Sequence, residues 1–415
     1  MLDIQFIRDN AKRVQENTKR RGSDADVSAI LKLDDKRKEI IKKEEELRAK
    51  RKQGSKEKPT PEQISEMKKV GQEVKKHETD RKKVEADLLE KMSWLPNMLA
   101  DDVPDGGGDE DNVEIRLGGK KPEFSFPIKD HFELGQDLDL IDTERAARVS
   151  GARFFYLKNE AVLLRLALVQ WTIQELMKEG FTPMFTPHLA KEQTLFGTGY
   201  LPFFSDEIYK IEGEDLSLIG TSEQTLVGYH QDEVLPSLEQ PKLYAGLSSC
   251  FRTEAGSYGK DTKGIFRVHE FYKAELIVVC APEDSVKWHE KCQEIEERIL
   301  DGLGLHYRVV NICVGDLGAP GYKKFDCEAW FPGQNKFREV TSNTNITDFQ
   351  TRRLNIRYKT NEGKVLFPHT ISATGMTDRA LLALLETYQN EDGSITIPEV
   401  LHPWTHGIKR IEKKI

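Results

Sequence analysis

The sequence is poor in cysteine and has no long apolar run, and both absences exclude classes of protein. Its five cysteines are odd in number, scattered and without C-x-x-C spacing, which argues for reduced thiols rather than a disulfide framework or a zinc site. No apolar stretch approaches the roughly 20 residues of a membrane span. Residues 1–4 begin no basic region followed by an apolar run. We therefore expect a cytoplasmic protein without a secretory signal.

Two common signatures of nucleotide-binding sites are also missing. The chain has no G-x-x-x-x-G-K-[ST] phosphate loop and no convincing dinucleotide fingerprint, so a Rossmann or P-loop domain is not expected. The 415 residues are 38% hydrophobic and 32% charged. These values predict a charge-rich globular protein of two or three domains with a sizeable core.

Charge is distributed unevenly along the chain. The whole sequence carries a formal charge of −8, yet residues 36–91 hold 19 Lys and Arg against 13 Asp and Glu. A basic arm on an acidic body would allow nucleic acid to meet the arm. Mixed charge is also normal on a solvated coiled coil, and composition alone favours that second interpretation.

Apolar residues in the first hundred positions follow alternating spacings of three and four. The two series are Ile30, Leu33, Ile40 and Leu47, then Met67, Val70, Val74, Val84 and Leu88. Charged residues, among them Glu44 and Arg81, interrupt them. Such narrow stripes need a partner helix, and turn residues at 54–61 separate the two series. The pattern predicts an antiparallel two-helix coiled-coil arm, with a dimerisation coiled coil as the alternative.

Composition also indicates where domains meet. Residues 99–119 are acidic, glycine-rich and nearly without apolar side chains, as expected of a linker or an exposed loop. From Phe124 onward the pattern changes to amphipathic segments. We predict an N-terminal domain at 1–100 that contains the helical hairpin, a linker at 101–123 and a candidate catalytic domain at 124–415.

Residues 250–276 carry the most informative chemistry of the chain. Arg252 and Glu254 end an apolar-rich run, a glycine-rich charged loop follows, and the returning segment contains Phe271 and Glu275. Strand, polar loop and strand predict a β-hairpin. It offers a guanidinium for phosphate, a ring for a base, and carboxylates for an amine or a metal. This set suits a nucleotide.

The stretch F-R-T-E-A-G, followed by H-E-F-Y-K-A-E, resembles motif 2 of class II aminoacyl-tRNA synthetases, specifically of seryl-tRNA synthetases. The resemblance extends from MLDIQFIRDN at the start to ITIPEVLHPW near the end. It implies an α+β fold, with the coiled-coil arm joined to a catalytic domain built on a six- or seven-stranded antiparallel sheet. It also implies that the arm grips serine tRNA through shape and backbone. Residues available for phosphates at the arm tip are Lys50, Arg51, Lys52, Lys56 and Lys58.

Under this resemblance, ATP is bound around motif 2. Arg252 bridges the α-phosphate and the serine carboxylate, and Glu254 holds the adenine amino edge or orients Arg252. Phe271 and Arg379 stack on opposite faces of adenine, and Arg379 also lies on the γ-phosphate. The other residues expected along the nucleotide are Thr253, Val268, Val340 and Thr341.

A second motif implies the serine pocket. Residues 216–226, LSLIGTSEQTL, match the family's T-x-E segment. Thr221, Ser222 and Glu223, together with Glu275, are therefore expected to bind the ammonium and hydroxyl of the substrate. Taken alone, T-S-E is more often a helix N-cap, and that alternative stays open here.

A third motif implies the magnesium ligands. The segment E-V-T-S, followed by N-T-N-I-T-D-F-Q-T-R-R, is similar to the family's E-x-x-S and S-N-x-x-D-F-Q-x-R-R. Glu339 and Ser342 look like ligands of ATP-bound Mg²⁺, which favours one or two protein oxygens plus phosphates and waters.

The last motif departs from the family pattern. The chain has T-I-S-A-T-G-M-T-D-R where the family commonly has T-L-N-G-S-G-L-A-x-G-R. Thr374 is expected to supply the serine-binding hydroxyl, judged by its neighbour Gly375, whereas counting back from Arg379 selects Ala373. Without the resemblance, Arg379 would be a surface charge on an amphipathic helix.

Residues 160–180 form a strongly amphipathic pattern that ends at a glycine, followed by an extended segment at 181–185 and by Pro187. Long helix, strand and proline resemble motif 1, which implies a homodimer. A helix packed on its own domain is the alternative.

Together the motifs imply ATP-dependent activation of L-serine to seryl-adenylate and transfer of serine to the 3′ end of serine tRNA. Whether selenocysteine tRNA is also charged stays open. Catalysis by orientation and charge neutralisation is assigned to Arg252, Glu275 and Arg379. The alternatives are a synthetase-like ligase that loads a small amino acid on a carrier protein, and a non-catalytic RNA-binding paralogue. The full-length arm argues against the first, and the intact site against the second.

Overall fold

The computed structural model describes residues 1–53, 60–255 and 264–413, and the chain divides into two compact units, Met1–Met98 and Leu99–Ile415. Most of the predicted arm turn, with Lys56 and Lys58, lies outside the described residues. Gly256 and Gly259 of the motif 2 loop lie outside them too. Within the described ranges, no helix is both long enough and apolar enough to cross a membrane.

The helices of the described chain are α1 (Ile4–Asp9), α2 (Ala11–Arg20), α3 (Val27–Gln53), α4 (Pro61–Ser93), α5 (His131–Asp137), α6 (Thr143–Ser150), α7 (Glu160–Lys178), α8 (Glu192–Gly197), α9 (Glu223–Gly228), α10 (Ser285–Gly302), α11 (Phe349–Arg353) and α12 (Asp378–Thr387). The strands are β1 (Val113–Gly118), β2 (Ile141–Asp142), β3 (Tyr156–Leu157), β4 (Thr182–Phe185), β5 (Leu189–Ala190), β6 (Ser217–Leu218), β7 (Val234–Leu235), β8 (Lys242–Phe251), β9 (Glu270–Cys280), β10 (Tyr307–Asn311), β11 (Lys323–Phe331), β12 (Lys336–Thr347), β13 (Arg357–Lys359), β14 (Val365–Leu366), β15 (His369–Thr377), β16 (Ile395–Thr396) and β17 (Arg410–Ile411).

The first unit is a long helical hairpin joined to a small helical base. Thr60 and Gln63 form a capping box that starts α4, and Pro61 occupies its first position, where a missing N–H costs nothing. Buried side chains from α1 to α4 pack together at the base, among them Ile7, Val14 and Ile30. The predicted coiled-coil arm is confirmed.

Two interruptions of the apolar series face each other across the arm. Glu44 of α3 is buried, and Arg81 of α4 donates from Nε to its Oε1 at 3.0 Å. Further along α3, Arg48 donates to Glu78 of α4 at 2.8 Å. Because the pairing positions rise on α3 while they fall on α4, the two helices run antiparallel.

An eight-stranded sheet forms the centre of the second unit, in the order β1-β10-β11-β12-β15-β9-β8-β4. Neighbouring strands are antiparallel except β4 and β8, which are parallel. Helices α7, α10 and α12 supply buried apolar faces to the core around this sheet. The predicted α+β class is confirmed, but the expected six or seven strands are too few.

The extra strand comes from the segment predicted as a linker. Within residues 101–123, Val113–Gly118 form β1 and pair with β10 at the edge of the sheet. Val113, Ile115 and Leu117 alternate with polar residues, as strand residues do. This alternation is short and directly follows an acidic, glycine-rich sequence, so the strand was not predicted. The predicted linker is therefore partly built into the sheet, and the proposed boundaries at 100 and 124 remain predictions.

The motif 1 segment folds as its pattern predicts. α7 ends at Lys178, and Gly180 follows with a φ of +87°, a left-handed conformation that glycine adopts without strain. The chain then enters β4, which pairs with β8. All five cysteines are buried and unpaired.

Candidate active site

A cavity of about 640 Å³, partly open to solvent, lies between the β8–β9 hairpin, β12, β15 and the start of α12. Its lining includes most of the residues predicted for the nucleotide, together with the predicted serine-binding hydroxyl: Arg252, Glu254, Val268, Phe271, Glu339, Val340, Thr341, Ser342, Thr374 and Arg379.

The β8–β9 hairpin presents Arg252 at its open end. The backbone N–H of Arg252 donates to the carbonyl of His269 at 3.0 Å, and its guanidinium lies 5.2 Å from the ring centroid of Phe271. Glu254 adopts a positive φ of 54° and accepts from Arg267 at 2.7 Å. Thr253 does not line the cavity, because its hydroxyl donates to the carbonyl of Asp206.

Arg379 enters the cavity from the first turn of α12. The hydroxyl of Thr377 caps this helix by accepting from the N–H of Arg379, whose guanidinium donates to the carboxylate of Glu339 at 2.9 Å. The side chain of Arg379 is only 23% exposed, so it is not a free surface charge. Its guanidinium lies 4.5 Å from the ring of Phe266, which lines the cavity and was not predicted.

Glu339 is ionised although part of its surroundings is apolar. Burial opposes ionisation, but the charges of Arg379 and Lys324 outweigh it and lower the pKa of Glu339 to about 2. The side chain is still 44% exposed, so it can meet a ligand from solvent. The hydroxyls of Ser342 and Thr374 are 3.5 Å apart at the same cavity.

In the last motif, Thr374 rather than Ala373 lies at the cavity. Ala373 is fully buried and paired in the sheet with Leu276 and Asn343. Thr374 lies one residue further, where it reaches the cavity.

The predicted serine-binding residues form a buried cluster centred on Glu275, which is 1% exposed. Its carboxylate accepts from the hydroxyls of Thr221 and Ser222 and from the N–H of Glu223. These residues do not line the large cavity. Lys273 does, and its ammonium donates to Glu275 at 2.6 Å, which joins the cluster to the cavity.

Helix α9 begins at Glu223, so the T-S-E segment does lie at a helix N-terminus. Ser222 occupies the N-cap position, but its hydroxyl makes no capping bond and donates to Glu275 at 3.2 Å. Ser222 therefore serves the cluster rather than the helix end, whereas the hydroxyl of Thr221 donates to Glu275 and also accepts from the N–H of Glu223 at 3.3 Å.

Glu223 and Glu275 are linked through a residue that the sequence did not single out. The hydroxyl of Ser372 lies 3.0 Å from a carboxyl oxygen of each. Burial and the negative charge of Glu275 raise the pKa of Glu223. Burial acts on Glu275 as well, but the ammonium of Lys273 lowers its pKa. The pKa values of the two carboxyls of the cluster thus shift in opposite directions.

Sequence reasoning missed Phe266, Lys273, Ser372 and Asp378. Lys273, Ser372 and Asp378 lie inside the motifs that identified other residues. A polar residue within an otherwise apolar strand, or at the start of a helix, was the sequence signal that could have identified them. Asp378 replaces the glycine of the family's G-R step. It accepts from Arg165 of α7 at 2.6 Å and from the N–H of Tyr272 at 2.9 Å.

Within residues 1–53, 60–255 and 264–413, no group of three or more carboxylate, histidine or cysteine side chains is arranged to hold a metal ion. A divalent cation at Glu339 and Ser342 would therefore take most of its ligands from substrate and water.

Two families match the sequence. The family described as "Seryl-tRNA synthetase N-terminal domain" matches residues 1–99, and the family described as "tRNA synthetase class II core domain (G, H, P, S and T)" matches residues 207–388. A serine--tRNA ligase of Treponema denticola is 45% identical over 422 residues, covering 99% of this chain and 100% of that protein. A serine--tRNA ligase of Dictyoglomus thermophilum is 45% identical over 425 residues, covering 100% of both.

Solved structures agree with these relatives. The crystal structure of seryl-tRNA synthetase from Pyrococcus horikoshii complexed with ATP is 39% identical, covers 100% of both chains and superposes with a TM-score of 0.93. The cytoplasmic serine-tRNA ligase from Naegleria fowleri in complex with AMP is 33% identical, with a TM-score of 0.88 over 100% of this chain and 99% of that one.

Proposed function

The chain belongs to the seryl-tRNA synthetases of class II, and from this premise we propose how its own residues carry out the reaction. The enzyme activates L-serine with ATP and transfers the seryl group to serine tRNA. The observation that carries our assignment of the site is the meeting of Arg252, Glu339 and Arg379, from three separate motifs, at one cavity.

In the activation step, the serine carboxylate attacks the α-phosphate of ATP and pyrophosphate leaves. Arg252 would lie between the two reacting groups, because its guanidinium can bind both and offset their charge. Phe271 offers its ring to adenine, and Arg379 reaches toward the γ-phosphate. The protein contributes orientation and electrostatic stabilisation rather than a covalent intermediate.

Mg²⁺ fits the residues at the cavity edge. Glu339 is ionised and partly exposed, and the hydroxyl of Ser342 faces the same space. These two oxygens suit a cation that completes its shell with phosphates and waters. When bound, Mg²⁺ would neutralise phosphate charge.

The serine pocket is proposed at Glu275, Thr221 and Glu223, with Thr374 at the cavity side. Ionised Glu275 supplies the charge that an ammonium needs, and the surrounding hydroxyls offer partners to the serine hydroxyl. A site built for a hydroxyl penalises alanine, because its polar groups are left unpaired. Threonine differs by a methyl group, which is worth only about 1–3 kcal/mol of discrimination, so rejection depends on pocket shape.

The arm is proposed to bind serine tRNA. Arg48, Arg51, Lys52 and Lys68 line one shallow groove on the described part of the hairpin. This basic groove supports phosphate binding on double-stranded RNA.

We also propose a homodimer formed through motif 1. α7 exposes Val162, Leu166 and Met177, and β4 exposes Phe185, whose side chain is 82% exposed. An apolar surface of this kind is typical of an interface. A cytoplasmic location is likewise proposed, from the reduced and buried cysteines.

Amino-acid-dependent ATP–pyrophosphate exchange tests the proposed site. Serine, threonine, alanine, glycine and cysteine are compared without tRNA. We expect exchange with serine and no exchange with Arg252→Ala, which should keep the wild-type melting temperature because Arg252 makes few internal contacts. An Arg252→Ala enzyme with full exchange would contradict the assignment. Preference for another small amino acid would revive the carrier-protein ligase, which the match at residues 1–99 disfavours.

A further inference from the structure

The two strands that carry the site separate at the cavity. β12 and β15 pair from Thr347 and Thr370 as far as Asn343 and Ala373, and their ladder ends there. Thr341 and Ser342 on β12, and Thr374 on β15, follow this point and line the cavity. The next backbone N–H on β15, that of Thr374, donates to a side chain instead of to β12.

That side chain is Glu296, which reaches the gap from α10. Its Oε1 accepts from the N–H of Thr374 at 2.9 Å, and its Oε2 accepts from the hydroxyl of Thr341 at 2.9 Å. The thiol of Cys327 on β11 also donates to Oε2, at 3.7 Å. One carboxyl group therefore joins β12 and β15 where their own hydrogen bonds stop.

No motif assigns a role to Glu296, which is fully buried and does not line the cavity. Burial raises the pKa of Glu296 to about 8. At neutral pH the group is thus mainly a neutral carboxylic acid, which is less costly to bury than a carboxylate. The partners of this buried acid lie on the two strands and on β11, which points to a structural role.

We propose that Glu296 is a positioning residue for serine activation, which fixes the separation of β12 and β15 at the cavity. The hydroxyls of Ser342 and Thr374 lie 3.5 Å apart on these two strands. Errors of about 1 Å in such groups are costly in catalysis. This inference rests on the proposed function of Thr374 and Ser342.

The same helix offers a matched control. Gln293 lies on the same face of α10 and is also fully buried. It donates to the sulfur of Cys327 at 3.1 Å and accepts from Asn343 at 3.4 Å. Neither of these residues lines the cavity. Gln293→Ala therefore removes buried hydrogen bonds from the same helix to β11 and β12 but leaves intact the carboxyl link between β12 and β15.

The test compares Glu296→Ala, Glu296→Gln and Gln293→Ala by ATP–pyrophosphate exchange, with serine and ATP titrated separately and melting temperatures measured. We expect Glu296→Ala to raise the KM for serine about tenfold, as loss of one buried hydrogen-bonding group does. The KM for ATP should rise too, because Thr341 and Ser342 on β12 are assigned to the nucleotide and its Mg²⁺. Glu296→Gln should stay within threefold of wild type for serine, because its amide oxygen still accepts from Thr374.

Gln293→Ala should lower the melting temperature and leave the KM for serine unchanged. The inference is overturned by a wild-type KM in Glu296→Ala, by equal increases in Glu296→Ala and Gln293→Ala, or by failure of Glu296→Gln to restore the KM. If Glu296→Ala does not fold, Glu296→Asp replaces it, since the shorter side chain cannot reach both strands. A wild-type enzyme without serine exchange refutes the proposed function itself, which distinguishes that outcome from the others.

Discussion

The pKa values of two neighbouring carboxyls in the cluster around Glu275 shift in opposite directions. Burial opposes the ionisation of Glu275, but the ammonium of Lys273 outweighs it and lowers the pKa, whereas burial and the charge of Glu275 raise the pKa of Glu223. Gln350 donates to Glu223 at 2.6 Å, and Ser372 lies between the two acids. Glu275 is therefore the carboxyl that ionises more readily, and Lys273 would share it with the ammonium of an incoming amino acid.

This asymmetry predicts different effects of the same substitution at the two sites. Glu275→Gln removes the anion and leaves the buried ammonium of Lys273 without its partner, so serine-dependent kcat/KM should fall at least about 100-fold. Glu223, whose pKa is raised by burial, ionises less readily than Glu275, so Glu223→Gln should cost less than about fivefold. Pyrophosphate exchange at saturating ATP measures both. Equal losses would contradict the opposite pKa shifts of the two carboxyls.

The raised pKa of Glu296 predicts how stability depends on pH. Its folded pKa of about 8 lies above its ordinary value of 4.5, so the folded state holds a proton that the unfolded chain has released. The resulting stabilisation is complete below about pH 4.5 and is lost as the pH rises toward 8, by up to about 1.4 kcal/mol per pH unit. Glu296→Gln lacks this titration. Between pH 6 and 8, differential scanning fluorimetry should therefore show the melting temperature of wild type falling relative to that of Glu296→Gln. Parallel plots of melting temperature against pH would contradict the pKa shift.

At the scale of elements, the arm is held in register by charge as well as by apolar contacts. Glu44 is 5% exposed and Arg81 is 30% exposed, and they pair where apolar residues would otherwise continue the seam. A buried polar pair inside a coiled coil disfavours a slipped alignment, because slipping leaves both groups unpaired.

Removing one partner should therefore loosen the arm. In Glu44→Ala, Arg81 keeps Glu85 at 3.1 Å but loses its partner on α3, and we expect about 1–2 kcal/mol less local stability. Hydrogen exchange of α3 and α4 should quicken about tenfold, and the KM for serine tRNA should rise while pyrophosphate exchange stays unchanged. Glu45→Ala, at an exposed neighbouring position, is the control. Unchanged hydrogen exchange of α3 and α4 in Glu44→Ala would show that the apolar seam alone sets the register.

Sequence was most informative where a motif fixes several residues at short spacing. Arg252, Phe271, Glu339 and Arg379 were all predicted in this way, and all line one cavity. Glu296 was not predicted, because its partner Thr374 is 78 residues away and only folding brings them together. Its signal was the spacing of His289, Gln293 and Glu296, which places polar groups on an otherwise apolar helix face.

At the scale of the whole molecule, the exposed apolar residues of α7 and β4 are the surface on which the proposed dimer depends. A charge at Phe185, which is 82% exposed, would cost a monomer little and would place an unpaired charge inside the proposed dimer interface. Phe185→Asp should therefore halve the mass measured by light scattering after size exclusion. Val286→Asp, at an isolated apolar residue of α10 that is 64% exposed, should leave the mass unchanged. An unaltered mass in Phe185→Asp would place the interface elsewhere.

The burial of all five thiols has a practical consequence for fluorescent labelling of the enzyme. Burial raises the pKa of Cys250 to about 11 and that of Cys280 to about 12, and thiols that stay protonated react poorly with alkylating dyes. The natural cysteines can therefore remain in place during labelling. A single cysteine introduced at an exposed arm position, such as Glu45, would carry the fluorophore, and its emission would follow the arrival and departure of RNA in real time.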